Sequence, residues 1–152
     1  MKRHKSLIFI SHDHYHGLQL AQLIKKNSPE FKNLPNDLEG KKSYTINFYE
    51  KDLLHHFYLE ENIIHPAVKG RNNEIDELFE EIIAEHKNIE SAIESLKENS
   101  NIENKLNEIG ILLQNHIRKE EQVLFEKIQK ELSENELQNL EEELHSYEDL
   151  NS

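Results

Sequence analysis

Two stretches of this chain repeat one spacing: His116-Ile117-Arg118-Lys119-Glu120 and His56-Phe57-Tyr58-Leu59-Glu60. At helical period the histidine and the glutamate of each pair lie one turn apart on one face. Ile109, Leu112 and Leu113 precede the first pair on its face and Val123 follows, so that face is expected to point inward. The second face carries Leu53 before the pair and Ile63 and Ile64 after it. An ionisable side chain aimed into an apolar core is costly unless it is paired or coordinates a metal. Two such pairs on two inward faces predict a metal site inside a helical bundle.

The elements that must position these residues follow from the apolar periodicity and the breakers. A first helix is predicted from about Ser6 to Asn27, and the Pro-, Gly- and Asn-containing segment Ser28 to Lys42 reads as a long connection. A second helix runs from near Ser43 to Pro66–Lys69, with Gly70 and Asn72-Asn73 making the turn. The third spans about Glu74 to Glu98, with Phe79, Ile82, Ile83, His86, Ile89 and Ile93 inward. Ser100-Asn101-Ile102-Glu103 has a capping-box pattern that opens a fourth helix to about Leu132; Ser133-Glu134-Asn135-Glu136 repeats it and opens a short acidic helix to about Asp149. The expected architecture is all-α: one domain over residues 1–152, an up-down-up-down four-helix bundle over about 6–132, and a short extra C-terminal helix.

Each long helix then carries one inward histidine: His14, His56, His86 and His116. Counted from the predicted helix ends, each lies about 11–14 residues from the connection to its neighbour, so at 1.5 Å per residue all four reach one level. His12 and His16, one turn apart on a face with Ile8 and Leu20, compete with His14, which is preferred. His55, Glu61 and Glu121 fall off the inner faces and are expected at the surface or hydrogen-bonded to a ligand. Glu90 is a further candidate for such a bond, and Tyr49 reads as a core tyrosine. His4, His65 and His145 have no evident partner, and Glu141-Glu142-Glu143 reads as a solvated face.

The donors at that level are His14, His56, Glu60, His86, His116 and Glu120. Six protein donors exceed the three plus water of a catalytic zinc and suit two metals sharing the carboxylates. With two carboxylate bridges and a solvent oxo or hydroxo bridge, each ion reaches about five ligands and keeps an open position, which favours two iron ions, with manganese or zinc as substitutes. Calcium does not suit four imidazoles.

These residues resemble the hemerythrin-like (HHE cation-binding) domains. The matching stretches are Ser11-His12-Asp13-His14 with Gly17-Leu18, Leu53 to Glu61 ending at Pro66, Glu85-His86, and Leu113 to Glu121 followed by Leu124-Phe125. The resemblance implies a four-helix bundle around a non-haem di-iron centre, with His14, His56, Glu60, His86, His116 and Glu120 on ligand positions. The invertebrate oxygen carriers of this family have a further histidine where this chain has Ile82, and an aspartate as last ligand where it has Glu120. The resemblance therefore implies metal binding more firmly than reversible oxygen carriage.

Composition bounds the alternatives. The chain has no cysteine, which removes thiolate sites, iron–sulfur clusters and disulfides and fits a reducing, cytoplasmic setting. A net charge of −12 argues against a nucleic-acid partner, and no apolar run reaches membrane-spanning length. The basic start and short apolar run at residues 1–10 lack a cleavage site, so no signal peptide is expected. The expected function is binding of a small ligand (oxygen, peroxide or nitric oxide) for sensing, protection or iron homeostasis, with Ile82, Ile83, Leu112 and Phe57 as pocket walls. No general acid or nucleophile is evident. A peroxide- or ferrous-oxidising di-iron enzyme and a metal-switched interaction module are the alternatives.

Overall fold

The computed structural model describes residues 2–151, and among them every regular element is helical. Helix α1 is Lys5–Ile24. Helix α2, residues 38–68, is continuous but contains two π turns, Tyr49–Leu53 and Glu60–Ile64. Helix α3 is Asn73–Glu94 with a final tight turn Ser95–Glu98. Helix α4, residues 102–131, has one π turn, Glu120–Leu124. Helix α5 is Glu134–Asn151. No helix of the described residues is long and apolar enough to cross a membrane.

Local chemistry sets most of the ends. Asp37 caps α2 through the Gly40 N–H (3.2 Å), so the helix starts at Leu38, ahead of the predicted Ser43. Gly40 belongs to that first turn and not to a loop: a Cβ there would collide with the capping carboxylate and lie 2.9 Å from Pro35 Cβ. Gly70, at φ 81°, ends α2, and Asn72 caps α3 through the Glu74 and Ile75 N–H groups. The Ser133–Glu136 capping box forms in both directions, at 3.2 and 3.0 Å. The one expected at Ser100 does not: the chain enters α4 through Asn101 in a left-handed conformation, which makes no side-chain cap. Because α1 stops early and α2 starts early, the mirror distances between histidines hold for α2–α3 and α3–α4 but fail for α1–α2, where α2 overshoots.

The π turns decide which residues face inward. In each, an N–H reaches back five residues: Phe125 to Glu120, His65 to Glu60, and Leu54 to Tyr49. A regular helix turns about 100° per residue, so four-residue steps drift by about 40° each. His116, Glu120, Leu124, Ile128 and Leu132 are spaced by four and all are buried. The extra residue of the π turn absorbs that drift. Its other effect is to rotate Val123 outward, to 38 % exposure, against the expectation that it lines the inner face, while Leu124 and Phe125 take the interior. In α2, Pro66 follows the π turn; it has no N–H to give to the ladder.

The core is divided. One apolar cluster joins Leu7, Ile10, Ile64, Phe79, Leu124 and Ile128 with Leu137, Leu140 and Leu144 of α5. The other joins Leu20, Tyr49, Leu53, Phe57, Ile89 and Leu113. Helix α5 is therefore more than an acidic appendage: three leucines bury against the bundle, while Glu142 and Glu143 are exposed and Glu141 is half-buried.

Candidate metal centre

Among the described residues eight polar or charged side chains are buried, and six of them are His14, His56, Glu60, His86, His116 and Glu120. The structure brings these six predicted residues together, and leaves His12 and His16 outside as an exposed edge-to-face pair. The six form two overlapping groups of converging donor atoms: His14, His56, Glu60 and Glu120, and Glu60, His86, His116 and Glu120. Both glutamates belong to both groups. Two of the three π turns begin at these glutamates, as π turns often do at functional positions.

The inner distances are short. His14 Nε2 lies 2.9 Å from Glu120 Oε1 and 3.1 Å from His56 Nε2. His86 Nε2 is 3.1 Å from Glu60 Oε1, and His116 Nε2 is 3.3 Å from Glu120 Oε1. Yet Glu60 Oε2, both Glu120 carboxylate oxygens and His116 Nε2 make no hydrogen bond of good geometry although all are buried. Orphaned atoms of this kind are rare in folded proteins. They converge as a donor set of imidazoles and carboxylates, and that set fits metal cations.

The outward nitrogen of each imidazole has its own acceptor, and the four bonds run round the bundle. Asp13 of α1 accepts from His56 of α2 (3.2 Å), and Glu61 of α2 from His86 of α3 (2.7 Å). Glu85 of α3 accepts from His116 of α4 (2.8 Å), and Glu121 of α4 from His14 of α1 (2.7 Å). A proton held on Nδ1 leaves Nε2 as the inward-facing nitrogen, the arrangement in which carboxylates orient metal-binding histidines. Two acceptors are themselves held by cations: Arg3 binds Glu121 at 3.0 Å and Lys119 pairs with Glu85. Phe57 stacks on His86 (3.8 Å between ring centres) and Phe125 on His14 (5.4 Å), fixing those rings from the side.

Electrostatics are set by the same neighbours. Burial acts to lower the His116 pKa, but the adjacent Glu120 carboxylate and the bond to Glu85 outweigh it and raise it to about 10. Burial is likewise overcome at His14, by Glu120 and Glu121, and at His56, chiefly by Glu60 and Asp13; both are raised. Burial would raise Glu120, but His116, with other partners, holds it well below the usual carboxylate range. Without metal the site therefore keeps protons where a cation would otherwise sit.

Several expectations are corrected. Glu90 is not the acceptor for His86; it lies beside Tyr49, whose hydroxyl pKa is raised by burial and by Glu90 and Glu94. Ile82 packs in the apolar core, Ile83 is half-buried, and Leu112 lines a cleft away from the site. Of the four predicted pocket walls only Phe57 lines the cavity at the site, a space of about 260 Å³ between α1, α2 and α4 that reaches His14, His56 and His116. The "unpartnered" histidines have partners: His4 caps α1 and meets Glu134 at 3.0 Å, His65 stacks on Phe79, and His145 is 3.8 Å from Glu141. Asp13 and Glu85 were not singled out as acceptors; the signal was an acidic residue beside a site residue in each helix, Asp13-His14, Glu60-Glu61, Glu85-His86 and Glu120-Glu121.

An all-helical chain with buried, shared histidine and glutamate donors belongs to the class of helical cation-binding domains. The family model for the hemerythrin HHE cation-binding domain matches residues 10–128, and the chain belongs to that family. Comparison with curated proteins and with solved structures finds no match.

Proposed function

We propose that this chain is a non-haem di-iron protein that binds a small ligand (oxygen, peroxide or nitric oxide) within an up-down-up-down four-helix bundle, for sensing, protection or iron homeostasis in the cytoplasm. The observation that carries the reading is the pair of overlapping donor groups with Glu60 and Glu120 common to both. His14 and His56 would hold one ion, His86 and His116 the other, and the two carboxylates would serve both. Bound iron supplies a redox-active centre with an open coordination position; manganese or zinc is the substitute the same donors accept.

The chain's own residues do the rest. Asp13, Glu61, Glu85 and Glu121 fix the imidazoles so that Nε2 faces inward. Phe57, Leu53 and Leu113 give the cavity apolar walls beside the site. Ile82 packs in the core and supplies no donor on the α3 side, so His86 would be that helix's single imidazole to the metal.

The test is the iron-to-chain ratio after anaerobic loading with ferrous iron and desalting. A ratio near two is expected, falling in His116→Ala. A ratio near one would leave a mononuclear site, and a ratio near zero would sink the reading.

A further inference from the structure

The cavity between α1, α2 and α4 is built asymmetrically. Its inner end is formed by His14, His56 and His116, and the buried His116 Nε2 has no hydrogen-bond partner. Its outer end is formed by Asp13, His16 and Asp52, all exposed, and no lysine or arginine lines it. Other faces of the site carry cations: Arg3 over the α1–α4 seam through Glu121, and Lys119 over the α3–α4 seam through Glu85. A mouth charged with one sign concentrates ions of the other at the entrance and raises their rate of encounter.

Asp13 occupies both environments. Its carboxylate bonds His56 Nδ1 at 3.2 Å, the longest of the four outer bonds, and 47 % of its side chain faces solvent. Asp52 stands in the π turn Tyr49–Leu53, which places it at the same mouth. A single water needs roughly 10–15 Å³ of such space, so about 260 Å³ admits a cation with hydration waters still attached.

We propose that this cavity is the inlet through which a divalent cation reaches the centre, with Asp52, His16 and Asp13 as successive transit ligands and His56 and His14 as the first residues to receive it. The inference rests on the reading of the site as a metal centre and adds the path by which it fills. Hydration waters are exchanged for carboxylate and imidazole donors along the path.

The experiment follows cobalt(II) chloride uptake by the metal-free protein in a stopped-flow instrument, reading visible absorption, with the final cobalt-to-chain ratio taken after desalting. Asp52→Asn combined with His16→Gln is expected to slow uptake at least threefold, and Asp52→Lys about tenfold, within the range electrostatic steering produces. The final ratio and the melting temperature of the metal-free protein should not change. Glu142→Gln, which removes the same charge from exposed α5, should leave the rate at the wild-type value. Equal rates in all variants, or equal slowing by Glu142→Gln, would overturn the inlet while leaving the metal centre standing. A wild-type ratio near zero would overturn both. If Asp52→Lys melts early, the near-isosteric Asp52→Asn pair decides the question alone.

Discussion

The ring of outer hydrogen bonds makes a graded prediction about metal affinity. Glu61→Ala removes the acceptor 2.7 Å from His86 Nδ1, leaving the ring held by the stacked Phe57 and by Glu60 at its inner nitrogen, and free to choose the wrong tautomer. Loss of an outer carboxylate typically costs about 10–100-fold in metal affinity, or about 1.4–2.7 kcal/mol. Glu61 has two features that place it in the upper part of that range: the bond is short, and no cation shares the carboxylate in the way Lys119 shares Glu85. Glu61→Gln keeps an amide oxygen able to accept from Nδ1 and loses only the charge, so about 3–10-fold is expected. Asp13→Ala removes a 3.2 Å bond to a half-exposed carboxylate, where water can replace it, and about threefold is expected. The assay is competition for cobalt(II) or ferrous iron against a coloured chelator of known affinity, under anaerobic conditions for iron. Wild-type affinity in Glu61→Ala would refute the reasoning, as would an Asp13→Ala loss larger than that of Glu61→Ala.

Three further outcomes are expected. Gly110→Ala should lower the melting temperature, because its Cβ would meet the Ala21 carbonyl oxygen at 3.0 Å and Ile24 Cγ1 at 3.2 Å, and overpacking of about 1–3 kcal/mol exceeds the helix-propensity gain of about 1 kcal/mol. Gly17→Ala meets only the Ile117 Cδ1 tip at 2.7 Å, beside a cavity into which it can swing, and should be neutral or stabilising; thermal melts of the two variants side by side check the contrast. The metal-free protein should lose stability as pH rises toward about 10: His116 is raised on folding, so its contribution is complete below its unfolded value and disappears as pH passes through the folded one. Melting curves at pH 7, 8.5 and 10, with and without metal, should show the loss only in the metal-free form. Ser133→Ala breaks the box that opens α5 and should cost about 1 kcal/mol, or roughly 2–4 °C, read by the same melts.

What was legible in the sequence was the part governed by helical period alone. His14, His56, Glu60, His86, His116 and Glu120 were recoverable because an ionisable group among leucines and isoleucines stands out at 3.6-residue spacing. Val123 was misplaced because the same arithmetic assumes a regular helix, and the π turn at Glu120 shifts the phase by a residue. The four-residue steps from His116 to Leu132 hold that information, since no straight α-helix keeps them on one side. Glu61 and Glu121 sit off the inner face of their own helices, and what they reach is an imidazole on the next one, a relation no single-helix reading contains. The cavity was misplaced for a similar reason: its walls come from how α1, α2 and α4 approach one another, not from the inner face of α3. The start of α2 was missed because Pro35 and Gly40 look like loop residues until the Asp37 cap is seen to close on the Gly40 N–H.

The outer ring also carries a sense of rotation. Each of the four helices presents an acceptor to the helix after it and a donor to the helix before it, so the bonds circulate in one direction: α1 to α2, α2 to α3, α3 to α4, α4 to α1. Apolar side chains tolerate many rearrangements of helices at little difference in energy. A directed cycle does not. Sliding one helix by a turn of about 5.4 Å severs two links at once. The residues that aim the imidazoles thereby also set the axial alignment of the helices around them.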